Sequence, residues 1–232
     1  RLYVVDTWHQ RVQIFDPAGN YLSSIGNNYG GQPGQFRSPS GVAVSASGQV
    51  LVSDTENHRL QLFEPYENTW GQVNANGFGN GNNGFITALE VWGDSLFAGA
   101  SNWEEGGSVW WYDTSVPTWT QVSEPGFSAT YTNTNGAVID LAVFNNYLYA
   151  STGWSENVGQ LWRSSNGTSW MPVSTDGLGN SNNIALTGFG EYNGYLYLGT
   201  NNNTDGAEIW RSQTGNPGEW SRVFTGGGDN VN

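Results

Sequence analysis

The chain has no cysteine. Disulfides, thiolate metal sites and cysteine nucleophiles are thereby excluded, while the compartment stays undecided. Lysine is absent too: the 7 basic residues, set against 20 acidic ones for a net charge of −13, are all arginine. So negative a surface repels phosphate backbones and anionic headgroups, which argues against nucleic acid and membrane surfaces as partners. Histidine is limited to His9 and His58. No apolar run approaches the ~18 residues of a membrane span, and no signal-peptide pattern is visible. The chain opens at Arg1, inside an apolar strand pattern, so further residues are expected upstream. Charged residues make up only 12%, which leaves a polar, weakly charged surface and the expectation of an extracellular or cell-surface protein.

What is plentiful is glycine, asparagine, serine, threonine and tryptophan, with 33 Gly and 12 Trp. Gly and Asn supply the positive-φ turns that short strands need. The sequence also repeats itself. Asp6, Arg11 and Phe15 recur 48 residues later as Asp54, Arg59 and Phe63. Further on, Leu96-Phe-Ala-Gly-Ala100 aligns with Leu148-Tyr-Ala-Ser-Thr152 and Leu196-Tyr-Leu-Gly-Thr200. The pairs Val109-Trp110, Leu161-Trp162 and Ile209-Trp210 align as well. A Trp-x-x-Val stretch recurs from Trp70, Trp119, Trp170 and Trp220. Each unit reads as four short strands A to D, for example Ile86–Val91, Ser95–Ala98, Ser108–Tyr112 and Thr118–Val122. Four strands in every ~40–50 residues is the spacing of β-propeller blades. The fold class is therefore all-β, a propeller of about five four-stranded antiparallel blades, with strand A innermost. Trp110, Trp162, Trp210, Phe15 and Phe63 are expected to be buried between blades.

Within the first unit type, Ser40-Gly-Val-Ala-Val44, Gly48–Asp54 and Asn57-His58-Arg59-Leu-Gln-Leu-Phe63 resemble the NHL repeat. The resemblance covers residues 1–65 and implies a propeller without implying one activity. Residues 66–232 carry the second repeat type, which is similar to repeats of bacterial surface propellers. Ser164-Ser-Asn166-Gly167-Thr-Ser-Trp170 resembles the Asp-box turn of sialidase-like propellers, with Asn166 in place of the aspartate and Gly167 one place early. In that family the turn is structural. NHL-like strands and Trp70-Gly-Gln-Val73 share one blade, so residues 1–232 form a single domain. Five B–C–D triplets accompany only four A strands. The expectation is a ring of six or more blades completed by further residues or protomers; the alternative is a five-bladed ring closed around Val231.

No catalytic constellation assembles. His9 aligns with Asn57 rather than His58, so a two-histidine metal site lacks its pairing. Arg163 and Arg211 occupy equivalent positions, but the third equivalent is Trp111, which breaks an arginine cluster of the sialidase kind. Asp6–Arg11 and Asp54–Arg59 are expected to pair across B–C turns at ~1 kcal/mol where exposed. Asn201, Asn203 and Asp205, ahead of Gly206, form a weak Ca²⁺-loop pattern, and a plain turn is the simpler reading; no other cofactor is implied. Asn166-Gly-Thr168 and Asn202-Asn-Thr204 match the N-glycosylation acceptor. The better candidate is a surface. Trp8, Trp103 and Trp154 fall in B–C loops, and the D–A loops on the same face carry Asn80, Asn82, Asn83, Asn133, Asn135, Asn180, Asn182 and Asn183. Aromatic plates beside amides suit a neutral glycan or a polar protein surface, bound with little salt dependence. Three functions stay open: a non-catalytic structural or protein-interaction propeller, a carbohydrate-binding propeller, and a propeller lyase or glycosidase.

Overall fold

A computed structural model describes residues 1–26, 28–45, 47–113, 118–127, 136–154 and 158–226. The described residues form antiparallel β-blades, with short 3-10 turns and no α-helix. Blade 1 consists of β1 (Leu2–Asp6), β2 (Arg11–Phe15) and β3 (Tyr21–Gly26), which take the B, C and D places. A small parallel pair, β4 (Asn28–Tyr29) with β5 (Gln35–Phe36), bridges to blade 2. Blade 2 is β6 (Pro39–Val44), β7 (Val50–Asp54), β8 (Arg59–Glu64) and β9 (Thr69–Gln72). Blade 3 is β10 (Asn83–Trp92), β11 (Ser95–Asn102), β12 (Ser108–Asp113) and β13 (Thr118–Gln121). Blade 4 is β14 (Ala137–Phe144), β15 (Tyr147–Gly153), β16 (Leu161–Ser164) and β17 (Trp170–Ser174). Blade 5 is β18 (Ala185–Tyr192), β19 (Tyr195–Asn201), β20 (Glu208–Ser212) and β21 (Ser221–Thr225). Two A–B hairpins turn on Asn145-Asn146 and Asn193-Gly194, whose φ angles are all positive, as right-twisted hairpins require.

The A strands pack against one another in the order β6, β10, β14, β18, so they are innermost. Each carries a bulge at one place, marked by Ser40, Thr87, Ile139 and Thr187. A bulge re-aims a side chain, and two of these reach the next blade: Ser40 Oγ donates to the Ile86 carbonyl at 3.2 Å, and Thr87 Oγ1 donates to that of Val138. The inner edge of β1 has no strand paired to it among the described residues.

Apolar clusters fill the seams between blades. Leu51 and Leu60 of blade 2 meet Ile86, Ala98 and Trp110 of blade 3, while Phe97 and Val109 of blade 3 meet Leu141, Leu148 and Trp162 of blade 4. The Trp-x-x-Val repeat proves to be a seam bond. Trp119 Nε1 donates to the Val73 carbonyl, and Trp170 Nε1 to that of Val122, each at 3.0 Å. In these two pairs the valine of one copy accepts from the tryptophan of the next, whereas Trp220 Nε1 is buried without a hydrogen-bond partner among the described residues. A second repeated device is the D–A turn at Gly77-Phe78, Gly126-Phe127 and Gly177-Leu178, with all six residues at positive φ. It lays an apolar side chain on the C-strand indole: Phe78 stacks on Trp110 at 4.6 Å and Phe127 on Trp162 at 5.4 Å.

Trp110, Trp162 and Phe63 are buried as expected. Trp210 and Phe15 are only half-buried, which corrects the expectation. At Trp210 the covering residue is Leu178, smaller than the phenylalanines in the other turns. Phe15 lies on the side of blade 1 away from blade 2 and packs edge-on against Tyr21.

Candidate functional site

The loop face that joins strands B to C and D to A is built on short polar turns. Trp8 sits in the 3-10 turn Thr7–His9, and Trp103 and Trp154 follow β11 and β15. All three are exposed, at 91%, 49% and 56% respectively. They share a loop but not one position. Gly153 pairs with Ala185 as Ser101 pairs with Ala137, so Trp154 stands where Asn102 stands in blade 3. Trp103 and Trp154 are neighbours across the seam of blades 3 and 4. A Cβ on Gly136 would lie 2.3 Å from Trp103 Cε3 and 3.1 Å from the Trp154 carbonyl oxygen, so the indole rests on a backbone that only glycine leaves bare. Trp154 itself holds φ of +64°. For a bulky residue this left-handed conformation is an outlier costing ~1–2 kcal/mol.

The asparagines divide into two sets. Asn83 and Asn183 are buried and do not form a binding rim, which corrects the sequence-based expectation. The Asn83 amide donates to the Gly77 carbonyl at 2.9 Å and accepts from Asn102 Nδ2 at 3.0 Å. In blade 5 the same bonds join Asn183 to Gly177 at 2.8 Å and Asn202 to Asn183 at 3.0 Å. Asn102 Oδ1 then accepts from the Glu104 and Glu105 amides, and Asn202 Oδ1 from those of Thr204 and Asp205. In blades 3 and 5 this lattice joins the B–C loop to the D–A loop before it. Burial takes Asn202 out of use as a glycan acceptor, whereas Asn166 is exposed at its turn. Asn82 is exposed and Asn182 half-buried; Asn133 and Asn135 lie outside the described residues.

In the Ca²⁺-loop pattern, Asn201 is half-buried at the end of β19 and Asn203 is exposed. The Asp205 carboxylate accepts from Asn182, Asn180 and Asn202, and those amide donors, Asn182 foremost, hold its pKa below the usual range. The carboxylate thus serves the loop lattice. Among the described residues no three His, Asp or Glu side chains converge as a metal site.

Both Asp–Arg pairs form, but unequally. Arg11 reaches Asp6 at 2.9 Å near solvent. Arg59 reaches Asp54 at 2.7 Å with both side chains buried, so the figure expected for an exposed pair does not apply there. Asp54 also accepts from the Arg37 amide, Asn57 and Gln61, while Arg59 donates to the Gly31, Gln32 and Gln35 carbonyls. The pair thereby anchors the long connection between blades 1 and 2. His9 is bound to Asp6, and His58 to the Gly84 carbonyl, on separate loops. Arg163 donates to the Gly215 carbonyl and to Asn216 in the next blade.

One feature escaped sequence reasoning. Glu90 on β10 and Asp140 on β14 lie on adjacent innermost strands. Burial, aided by the Asp140 charge, pushes the Glu90 carboxyl up to about 7. Burial also raises Asp140, against the opposing pull of the Phe189 and Leu141 amides that it accepts. The only signal in the sequence was a charged residue at an apolar A-strand position, where the other blades have Ala43, Ala142 and Gly190.

Comparison with known proteins agrees with the geometry. The NHL repeat model matches residues 36–63. Two curated relatives, "B-box type zinc finger protein ncl-1" of Caenorhabditis elegans and "Protein brain tumor" of Drosophila melanogaster, are each 53% identical over 36 residues. That stretch is 16% of this chain and only 4% of either relative. Among solved structures, a streptogramin B lyase superposes at TM-score 0.65 and 12% identity, covering 96% of this chain and 64% of that one. The virginiamycin B lyase from Staphylococcus aureus gives 0.65 at 8% identity, covering 95% and 65%. A luciferin-regenerating enzyme gives 0.63 at 13% identity, covering 96% and 72%. At such identities the likeness shows the propeller fold alone. No helix among the described residues is long and apolar enough to cross a membrane.

Proposed function

We propose that this NHL-repeat-bearing β-propeller is a non-catalytic protein-interaction module that works through its tryptophan-bearing loop face. One observation carries the reading: Trp154 is more than half exposed while held in a left-handed backbone, beside Trp103, which is about half exposed. Exposed aromatic area at a strained position adds nothing to the core, and such strain persists where binding uses it. Catalysis has less support. His9 and His58 are apart, each engaged in its own loop. The lyase titles belong to proteins that share the fold, and function does not follow from fold. An extracellular or cell-surface location accompanies this proposal on composition, with Asn166 as its glycan acceptor.

The test compares the chain with its triple Trp8→Ala, Trp103→Ala, Trp154→Ala variant. Both should melt at the same temperature, because the three indoles are exposed. Only the parent should retain a partner protein on an affinity column, and neither should bind a neutral glycan array. Retention of the same partner by the variant would end the reading. Glycan binding lost in the variant would replace it with the carbohydrate-binding one.

A further inference from the structure

We infer that the Trp103–Trp154 patch receives a cationic side chain, arginine or lysine, from a basic segment of the partner protein; this rests on the interaction-face reading above. Arg11, Arg59 and Arg222 are committed to Asp6, Asp54 and Glu208. Arg37, Arg163 and Arg211 lie over the rings of Tyr29, Tyr147 and Tyr195 at 5.0, 4.3 and 4.4 Å. The remaining arginine, Arg1, directly precedes β1 of blade 1. No lysine exists to fold back onto the indoles. The π-faces of Trp103 and Trp154 are therefore left without an arginine of this chain over them among the described residues.

Their surroundings are acidic. The turn that presents Trp103 continues directly into Glu104 and Glu105, both exposed. Asn102 Oδ1 caps the Glu104 and Glu105 amides at 3.1 and 2.8 Å, so the Trp-Glu-Glu step projects from a fixed turn. Asn80 and Asn102 hold the Glu105 carboxylate, whereas that of Glu104 has no partner among the described residues. Glu56 is a further exposed carboxylate on the same face. Indole is the strongest cation–π acceptor among side chains, and a neighbouring carboxylate adds Coulombic attraction to the same guest. A polyanion would be repelled. A neutral sugar would stack but leave Glu104 unanswered. The net charge of −13 would steer a basic segment toward the protein, and the patch would then select where it docks. This departs from the neutral, salt-indifferent partner that composition suggested.

The probe is a fluorescein-labelled peptide of alternating glycine and arginine. Its control has citrulline in place of arginine, equal in shape and without charge. Anisotropy titrations at about 50 and about 250 mM NaCl read the charge contribution. The arginine peptide should bind roughly tenfold tighter than the citrulline peptide. Trp103→Ala/Trp154→Ala should lose most of that binding, and Glu104→Gln should lose roughly threefold and flatten the salt dependence. Glu67→Gln, the same charge change in the exposed C–D turn of blade 2, should bind as the parent does. Equal affinity for the two peptides, both lost in the tryptophan variant, would overturn the cationic guest while the face survives. Binding unaffected by the tryptophan variant, or weakened as much by Glu67→Gln as by Glu104→Gln, would reduce the attraction to diffuse charge and overturn the inference. If the tryptophan variant also keeps the captured partner, the face falls with it.

Discussion

Replacing Glu90 by glutamine should stabilise the protein at neutral pH. Glu90 points into the seam of blades 3 and 4, opposite Phe97 on β11 and near Asp140. Its carboxyl titrates at about 7 in the fold against an ordinary 4.5. A raised carboxylate pKa means that the folded state holds its proton more tightly than the unfolded chain does. The stabilising contribution is therefore complete below pH 4.5 and is lost as pH rises to about 7. With 1.36 kcal/mol per pKa unit, the loss is ~3 kcal/mol, or roughly 6–12 °C in Tm for a domain of this size. Glutamine keeps the shape and carries no charge. Thermal melts of parent and Glu90→Gln should coincide near pH 4.5 and diverge progressively up to pH 7, with the variant higher and the gap constant beyond. Curves that run parallel from acid to alkaline pH would refute the reasoning and place Glu90 in contact with water.

Three other outcomes follow from named contacts. Arg59→Ala should cost ~3–5 kcal/mol in urea unfolding because it strands the buried Asp54 carboxylate, whereas Arg11→Ala should cost less than ~1 kcal/mol. Trp154→Gly should leave stability unchanged or raise it by ~1 kcal/mol in the same assay, since glycine tolerates φ of +64° and the lost ring was exposed. Partner binding should nevertheless fall. Gly136→Ala should leave the blades folded but displace the Trp103 indole, seen as a shift in tryptophan emission and weaker partner binding; an unchanged spectrum would mean that the ring does not rest on Gly136.

The blade architecture was legible because it is periodic. The 48-residue offset of Asp6 and Asp54, the recurring C-strand tryptophans and the Trp-x-x-Val stretches each mark one place in a four-stranded unit. What those tryptophans bond to was not legible, because the acceptor lies in another blade: Trp170 and Val122 are 48 residues apart. The left-handed turns at Gly77-Phe78 and Gly177-Leu178 left a readable trace in Asn76-Gly-Phe-Gly-Asn80 and Asp176-Gly-Leu-Gly-Asn180. Burial was the harder quantity. Asn82 and Asn83 look alike in a loop, yet one is exposed and the other lies under Gly77. Exposure of Trp8, Trp103 and Trp154 was readable as residues the blade repeat does not require. The contact of Trp103 with Gly136 depends on a seam between blades that no local pattern records.

Hydroxyl-radical footprinting tests the interaction face most directly. The chain is oxidised alone and in complex with the protein it retains, and each tryptophan is quantified by mass spectrometry. Trp103 and Trp154 should pass from strong to weak oxidation on binding, while half-buried Trp119 and Trp170 on the outer strands stay unchanged. Unaltered oxidation of Trp103 and Trp154, with protection confined to the innermost strands around Glu90 and Asp140, would contradict the account and move function to the propeller axis.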